Sequence, residues 1–296
     1  MRAPLWRTTP PEVPIGDHCC KPNECPFIPH CHPPGPEYPV TDLYKATRRL
    51  KDRLAADGIM SIQDIPPGYD GLSELNQRIR EAVVNGTPFV DPAVHEALAK
   101  CKFPLFFLDF ETINPAIPLY VGTRPYDQIP FQWSIHRMER DGSLTHGEFL
   151  HENLDDPRRP LLESMLRTLG TDGDILVYSP FEATQLRAMR EAYPEFAQPI
   201  EDVIARLVDM LPPIREHVYH PEFHGSFSIK SVLPALVPAM GYDDLKITDG
   251  SSATAAFVTM MKPETPESVG AALRAELLRY CRRDTEAMVE LWRRLR

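Results

Sequence analysis

Residues 105–113, LFFLDFETI, sort as a strand into two sets: Leu105, Phe107, Asp109, Glu111 and Ile113 on one face, Phe106, Leu108 and Phe110 on the other. The run reads as a buried strand that carries two acids. Further strands are predicted at 130–139, 144–151 and 174–178, with helices near 157–169, 180–192, 200–217 and 228–237 and a long closing helix over 268–295. Three strands without intervening helices, followed by a helix, a strand and more helices, predict an α/β fold with a mixed sheet. Upstream, TDLYKATRRLKDRLAADGI places Leu43, Leu50 and Leu54 on one helical face with Gly58 as a stop, and LSELNQRIREAVVNG predicts a second helix ending at Gly86. Residues 1–39 hold eleven of the 32 prolines and no apolar period, so they cannot build a core alone. The pattern divides the chain into a Cys/Pro-rich tail (1–39), a helical adaptor (40–100) and an α/β domain (101–296).

No stretch approaches the roughly 20 apolar residues of a membrane span, and the opening MRAPLWRTTPPEVP lacks the apolar centre of a signal peptide, so the expected compartment is the cytoplasm, without membrane attachment. Acidic residues outnumber basic ones, 42 to 32, which argues against a protein that coats nucleic acid by charge alone. The excess is compatible with an enzyme whose carboxylates are neutralised by divalent metal. Lys45, Arg48, Arg49, Lys51 and Arg53 line the first adaptor helix; a solvated charged face is the commoner meaning of such a run, a phosphate-facing one the other.

Asp109 and Glu111 share a strand face about 7 Å apart, where like charges repel unless protonated or bridged by a cation. The competing reading, a strand end emerging into water, sits poorly with Phe106, Phe107 and Leu108 directly before them. The closing helix repeats the anomaly: Leu277, Cys281, Asp284, Met288, Leu291 and Leu295 form its apolar stripe, and Tyr280 lies one turn before Asp284. A buried Asp284 needs a metal or a cationic partner such as Arg279, Arg282 or Arg283. Glu182, in VYSPFEATQL, stands at a strand-to-helix junction, where α/β proteins collect ligands, but Ser179, Pro180 and Glu182 also spell a capping box. Lys230, in GSFSIK near a helix start, could meet a phosphate or face solvent.

Cys19, Cys20, Cys25 and Cys31 fall within GDHCCKPNECPFIPHC, while Cys101 and Cys281 are solitary. In a reducing compartment this cluster reads as a metal site, an iron–sulfur cluster or zinc, with His18, His30 and His32 keeping zinc open.

Asp-x-Glu on a strand, an acid at a later strand-to-helix turn and Tyr-x-x-x-Asp on the last helix resemble, in that order, the tyrosine subclass of the DEDD exonuclease superfamily. The resemblance implies an RNase H-like fold and 3′-to-5′ hydrolysis of DNA or RNA with two Mg²⁺ or Mn²⁺ ions. It makes Asp109, Glu111, Glu182 and Asp284 metal ligands, gives Tyr280 the orientation of the attacking water, and directs Lys230 to nucleic acid. Glu182 departs from the aspartate usual in the second motif, and Arg279 stands where the other subclass has histidine. With the cysteine segment, PFQWSIH and SFSIKSVLPAL, the chain further resembles the bacterial domain family of unknown function numbered 2779. In that family the exonuclease-like domain follows a RecB-type PD-(D/E)XK nuclease whose iron–sulfur site, expected to be of the [4Fe-4S] type, is closed by such cysteines. The expected partners are therefore a single-stranded DNA or RNA 3′ end and a separate RecB-type nuclease domain. The alternative is a non-catalytic nucleic-acid-binding module that assists that nuclease.

Overall fold

A computed structural model of the chain describes Cys19, residues 25–31 and residues 35–296. The chain forms two compact units, Met1–Leu72 and Ser73–Arg296.

The first unit contains α1 (Ile28–Cys31) and α2 (Arg48–Ala56). Leu43, Leu50 and Leu54 are buried together with Ile62 and Ile65. The helix is shorter than its apolar period, because Val40–Asp42 form a 3₁₀ turn and Lys45 adopts a left-handed conformation (φ 48°). Thr47 then caps α2 by accepting from the Leu50 amide at 3.3 Å. Gly58, at φ 71°, closes it by donating to Ala55 O at 3.1 Å. Of the basic face, Arg53 bonds Asp70 at 2.6 Å and Arg48 lies 3.8 Å from Asp52.

The second unit begins with α3 (Glu74–Asn85), β1 (Phe89–Val90) and α4 (Ala93–Ala99). A meander follows, β2 (Leu105–Ile113), β3 (Ile129–Met138) and β4 (Leu144–Leu150), then α5 (Arg158–Leu169), β5 (Asp174–Val177) and α6 (Phe181–Ala192). The remainder is α7 (Ala197–Ile204), β6 (Leu207–Asp209), α8 (Leu211–His217), β7 (Val218–Tyr219), α9 (Ile229–Leu236), α10 (Gly250–Met260) and α11 (Glu267–Leu295). Five strands form one mixed sheet in the order β4-β3-β2-β5-β6, antiparallel on the β2–β3–β4 side and parallel on the β2–β5–β6 side. β1 and β7 pair separately.

One helix had been expected over 200–217, and here the structure corrects the sequence: α7 ends at Ile204, β6 follows, and α8 starts anew. The apolar period of IEDVIARLVDML runs on, but Leu207, Val208 and Asp209 pair with Ile175, Leu176 and Val177 and satisfy the open edge of β5. Pro212 and Pro213 sit in the first turn of α8, where missing amides cost nothing.

Helices cover both faces of the sheet. Phe106, Leu108 and Phe110 pack with Trp133 and Ile135 against α5, α6 and α7. On the other face Phe107 meets the edge of Trp292 from α11 at 6.4 Å, and α10 lies alongside, with Phe131 stacked on Phe257 at 3.9 Å. The sliding register of α11 is fixed by polar bonds. Gln132 Nε2 donates to Leu277 O at 2.8 Å, and Thr285 Oγ1 lies 2.8 Å from Ser134 Oγ and 2.7 Å from His136 Nδ1. These contacts hold Tyr280 and Asp284 over the face of β2 that carries Asp109 and Glu111.

Candidate metal centre

Asp109 and Glu111 project from the C-terminal half of the central strand. Directly beside Glu111 the β2–β3 register slips, since Glu111 faces Gln132 and Thr112 faces Pro130, leaving Phe131 as the bulged residue. Such a bulge re-aims neighbouring side chains. Glu182 stands in the first turn of α6, just after β5, and Asp284 lies in the buried stripe of α11. Glu111, Glu182 and Asp284 are 6%, 3% and 7% exposed, while Asp109 is half-buried. Each of the six pairings among these four acids is repulsive and close enough to displace a pKa. Three elements distant in sequence thus deliver four carboxylates to one place.

Burial, and then the neighbouring carboxylates, push Asp109 and Glu111 well above the usual carboxylate range. Glu182 is pushed up to about 8, first by burial and then by Asp209 and Asp284. Asp284 rises only to about 6. Burial raises it, but hydrogen bonds from Tyr242 and Tyr280 and the charges of Lys230 and Arg283 favour its ionised form. Tyr242 Oη donates to Asp284 Oδ1 at 2.6 Å. The arginines of α11 pair elsewhere: Arg283 and Arg279 reach Asp244, and Arg282 reaches Glu286.

Glu182 does not close a capping box. Ser179 Oγ accepts from the Phe181 amide at 3.1 Å, and Pro180 occupies the cap position. The Glu182 carboxylate turns inward instead, and its buried Oε2 has no hydrogen-bond partner. An unpartnered buried carboxylate oxygen is expensive, and a cation is the ligand that would satisfy it.

Lys230, in the first turn of α9, donates to Tyr280 Oη at 2.7 Å and to Thr248 O at 2.5 Å, with its ammonium 4.8 Å from the Tyr280 ring centre. Its positive charge favours the ionised form of Glu111. Cys281 Sγ lies 3.6 Å from Asp109 Oδ2. Among the described residues, ligand atoms of Asp109, Glu111 and Cys281 lie within 4.8 Å of one another.

Tyr242 and Asp209 belong to this site and gave no isolated signal in the sequence. Tyr242 sits in an irregular segment 42 residues from Asp284, where an aromatic is unremarkable. Asp209 ends β6, and an acid at the C-terminal end of a parallel strand would have marked it had that strand been recognised.

Of the tail residues, Cys19, Cys25 and Cys31 carry free thiols, and His30 is exposed. Cys20, His18 and His32 lie outside the described residues. A cavity of about 520 Å³ runs along the other end of α6, lined by Arg124, Tyr126, Gln128, Arg158, Gln185 and Met189. Gln128 ties it to the acidic strand by bonding Thr112 Oγ1 at 2.6 Å.

The fold is therefore a mixed α/β sheet flanked by helices, with a four-carboxylate cluster built from its central strand and two of the helices. Residues 106–228 match the model of a domain of unknown function (DUF2779). That span holds Asp109, Glu111 and Glu182 but not Lys230, Tyr280 or Asp284. No curated protein matches the chain, and no solved structure does. No helix among the described residues is long and apolar enough to cross a membrane.

Proposed function

We propose that the second unit is a metal-dependent phosphodiesterase of the 3′-to-5′ exonuclease type, with an RNase H-like sheet and nucleic acid as its substrate. One observation carries the reading: Asp109, Glu111, Glu182 and Asp284 converge, three of them buried and all four mutually repelling, with an orphaned Glu182 Oε2 among them. A fold gains nothing from such a cluster unless cations enter it. The central placement of the first acidic strand, between antiparallel and parallel halves of the sheet, supports the fold assignment.

The four acids would hold two Mg²⁺ or Mn²⁺ ions, all hard oxygen ligands for hard cations. Such a pair activates water and stabilises charge on the phosphate and the departing 3′ oxygen. The chain's own groups do the rest. Tyr242 fixes one Asp284 oxygen and keeps that carboxylate ionised near neutral pH. Tyr280, fully protonated because burial and the acids raise its pKa, offers its hydroxyl to orient a water, and Lys230 positions that hydroxyl. Lys230 also supplies positive charge where a scissile phosphate would sit.

The accessory-module reading draws on Glu182: it carries one more methylene than the aspartate of the resembled motif, and at about 8 it holds its proton at neutral pH without metal. End-labelled single-stranded DNA and RNA, incubated with the protein in Mn²⁺ or EDTA beside Asp109→Ala, decide between the two. Stepwise metal-dependent loss from the 3′ end, absent in the variant, is expected. Strand binding without cleavage would favour the accessory module.

A further inference from the structure

Cys281 has no place in the two-metal scheme, yet it is fully buried and its sulfur touches the first acid. Its Sγ lies 3.6 Å from Asp109 Oδ2 and 3.8 Å from Asp109 O. A tetrahedral zinc ion, with Zn–S about 2.3 Å and Zn–O about 2.1 Å, spaces the sulfur and oxygen on adjacent vertices by about 3.6 Å. The observed separation, spanned here by the Cys281 thiol donating to the carboxylate, equals the spacing of two ligands of one such ion. Glu111 brings a third donor within the same 4.8 Å. A second, independent feature points to a cation here: Glu182, 3% exposed, leaves Oε2 without a partner and acts electrostatically on Asp109 and Glu111.

We infer that Asp109, Glu111 and Cys281 form a mixed oxygen–sulfur site for one thiophilic divalent ion of the zinc and cadmium class. The inference rests on reading these acids as metal ligands and adds a second mode of occupancy. Mg²⁺ and Mn²⁺ favour the carboxylates alone, whereas a softer ion gains from the thiolate. On binding, the Cys281 thiol releases its proton to solvent and the sulfur becomes the third protein ligand, with the fourth vertex left to water. A zinc-class ion so held withdraws Asp109 and Glu111 from the Mg²⁺ or Mn²⁺ pair. Zinc is therefore an inhibitor of this site, and Cys281 is what makes it one.

The rival explanation is a small buried hydrophobe, the usual role of an unpaired cysteine. Cadmium titration of the full-length chain bearing Cys19, Cys20, Cys25 and Cys31→Ser removes the tail thiols from the signal. One equivalent of Cd²⁺ is expected to produce a thiolate-to-cadmium charge-transfer band in the ultraviolet. That band is expected to disappear when Cys281→Ser or Cys281→Ala is added, with Cd²⁺ affinity falling at least tenfold and circular dichroism unchanged. Mn²⁺ affinity in the same Cys281 variants is expected to stay within about twofold. Cd²⁺ bound without the band, or bound equally well after Cys281→Ser, overturns the mixed site and leaves the carboxylate reading intact if Mn²⁺ still binds. Failure of both ions to bind any of these chains overturns the inference together with the metal reading beneath it.

Discussion

Asp284 shows how single residues set the working range of the site. Burial lifts it, two tyrosine hydroxyls and two cations pull it back, and it settles at about 6. Tyr242→Phe deletes a buried bond to the ionised form, a loss of about 1.5–3 kcal/mol. The expected result is a pH profile for Mn²⁺ binding displaced upward by about one to two units, measured by calorimetry between pH 5.5 and 8. An unmoved profile would mean that Tyr242 serves packing alone. Asp109, Glu111 and Asp284 were legible because each breaks the apolar pattern of its own element, so the anomaly is local. Tyr242 and Asp209 were not, since nothing in their neighbourhoods is violated and their roles arise from contacts across the fold.

At the scale of elements, legibility followed the same rule. The β2–β3–β4 meander, α5, α6 and α11 were read nearly to their ends, because each carries its own period and punctuation. β6 was lost inside a helical reading, since its reason for being a strand is the edge of β5. α10 was missed too: GSSATAAFVTM is short-chained and weakly sided, although Asp249 caps it by accepting from the Ser252 amide at 2.9 Å. The turn that starts β5 depends on one glycine. Gly173 has φ +79°, and a Cβ there would lie 1.9 Å from Pro104 O, while Arg206 clamps the turn by bonding Gly173 O at 2.7 Å. Gly173→Ala must therefore move backbone, and a loss of about 3 kcal/mol or more is expected, read as a Tm lower by roughly 6–12 °C. A change under about 2 °C would refute the close approach. The loop between β2 and β3 carries Arg124 and an exposed Tyr126 at the rim of the α6 cavity, a charge beside a stacking surface. Arg124→Ala with Tyr126→Ala is expected to weaken single-strand binding about tenfold or more, measured by fluorescence anisotropy, with Tm unchanged.

For the whole molecule, the cluster makes stability depend on pH and metal together. Glu182 and Asp284 have folded pKa values of about 8 and about 6, above their ordinary values. Their contribution is therefore fully present below pH about 4 and is lost as pH rises through 6 and 8. His136, held near 3 by burial beside His146, acts oppositely, costing stability as pH falls below its ordinary value. In EDTA the second unit is thus expected to lose Tm steadily from pH 6 to pH 8.5, and Mn²⁺ is expected to restore the loss at the alkaline end. Thermal melts across that range check this; a Tm in EDTA that rises steadily to pH 8.5 would contradict it. The claim beneath all of these is that four clustered acids exist to hold two divalent ions. Its most direct test is the stoichiometry of Mn²⁺ binding at pH 7.5, by calorimetry on the full chain and on Asp109→Asn with Asp284→Asn. Two ions per chain, lost in the double variant, is the expected result; no binding, or equal binding by both proteins, would contradict it.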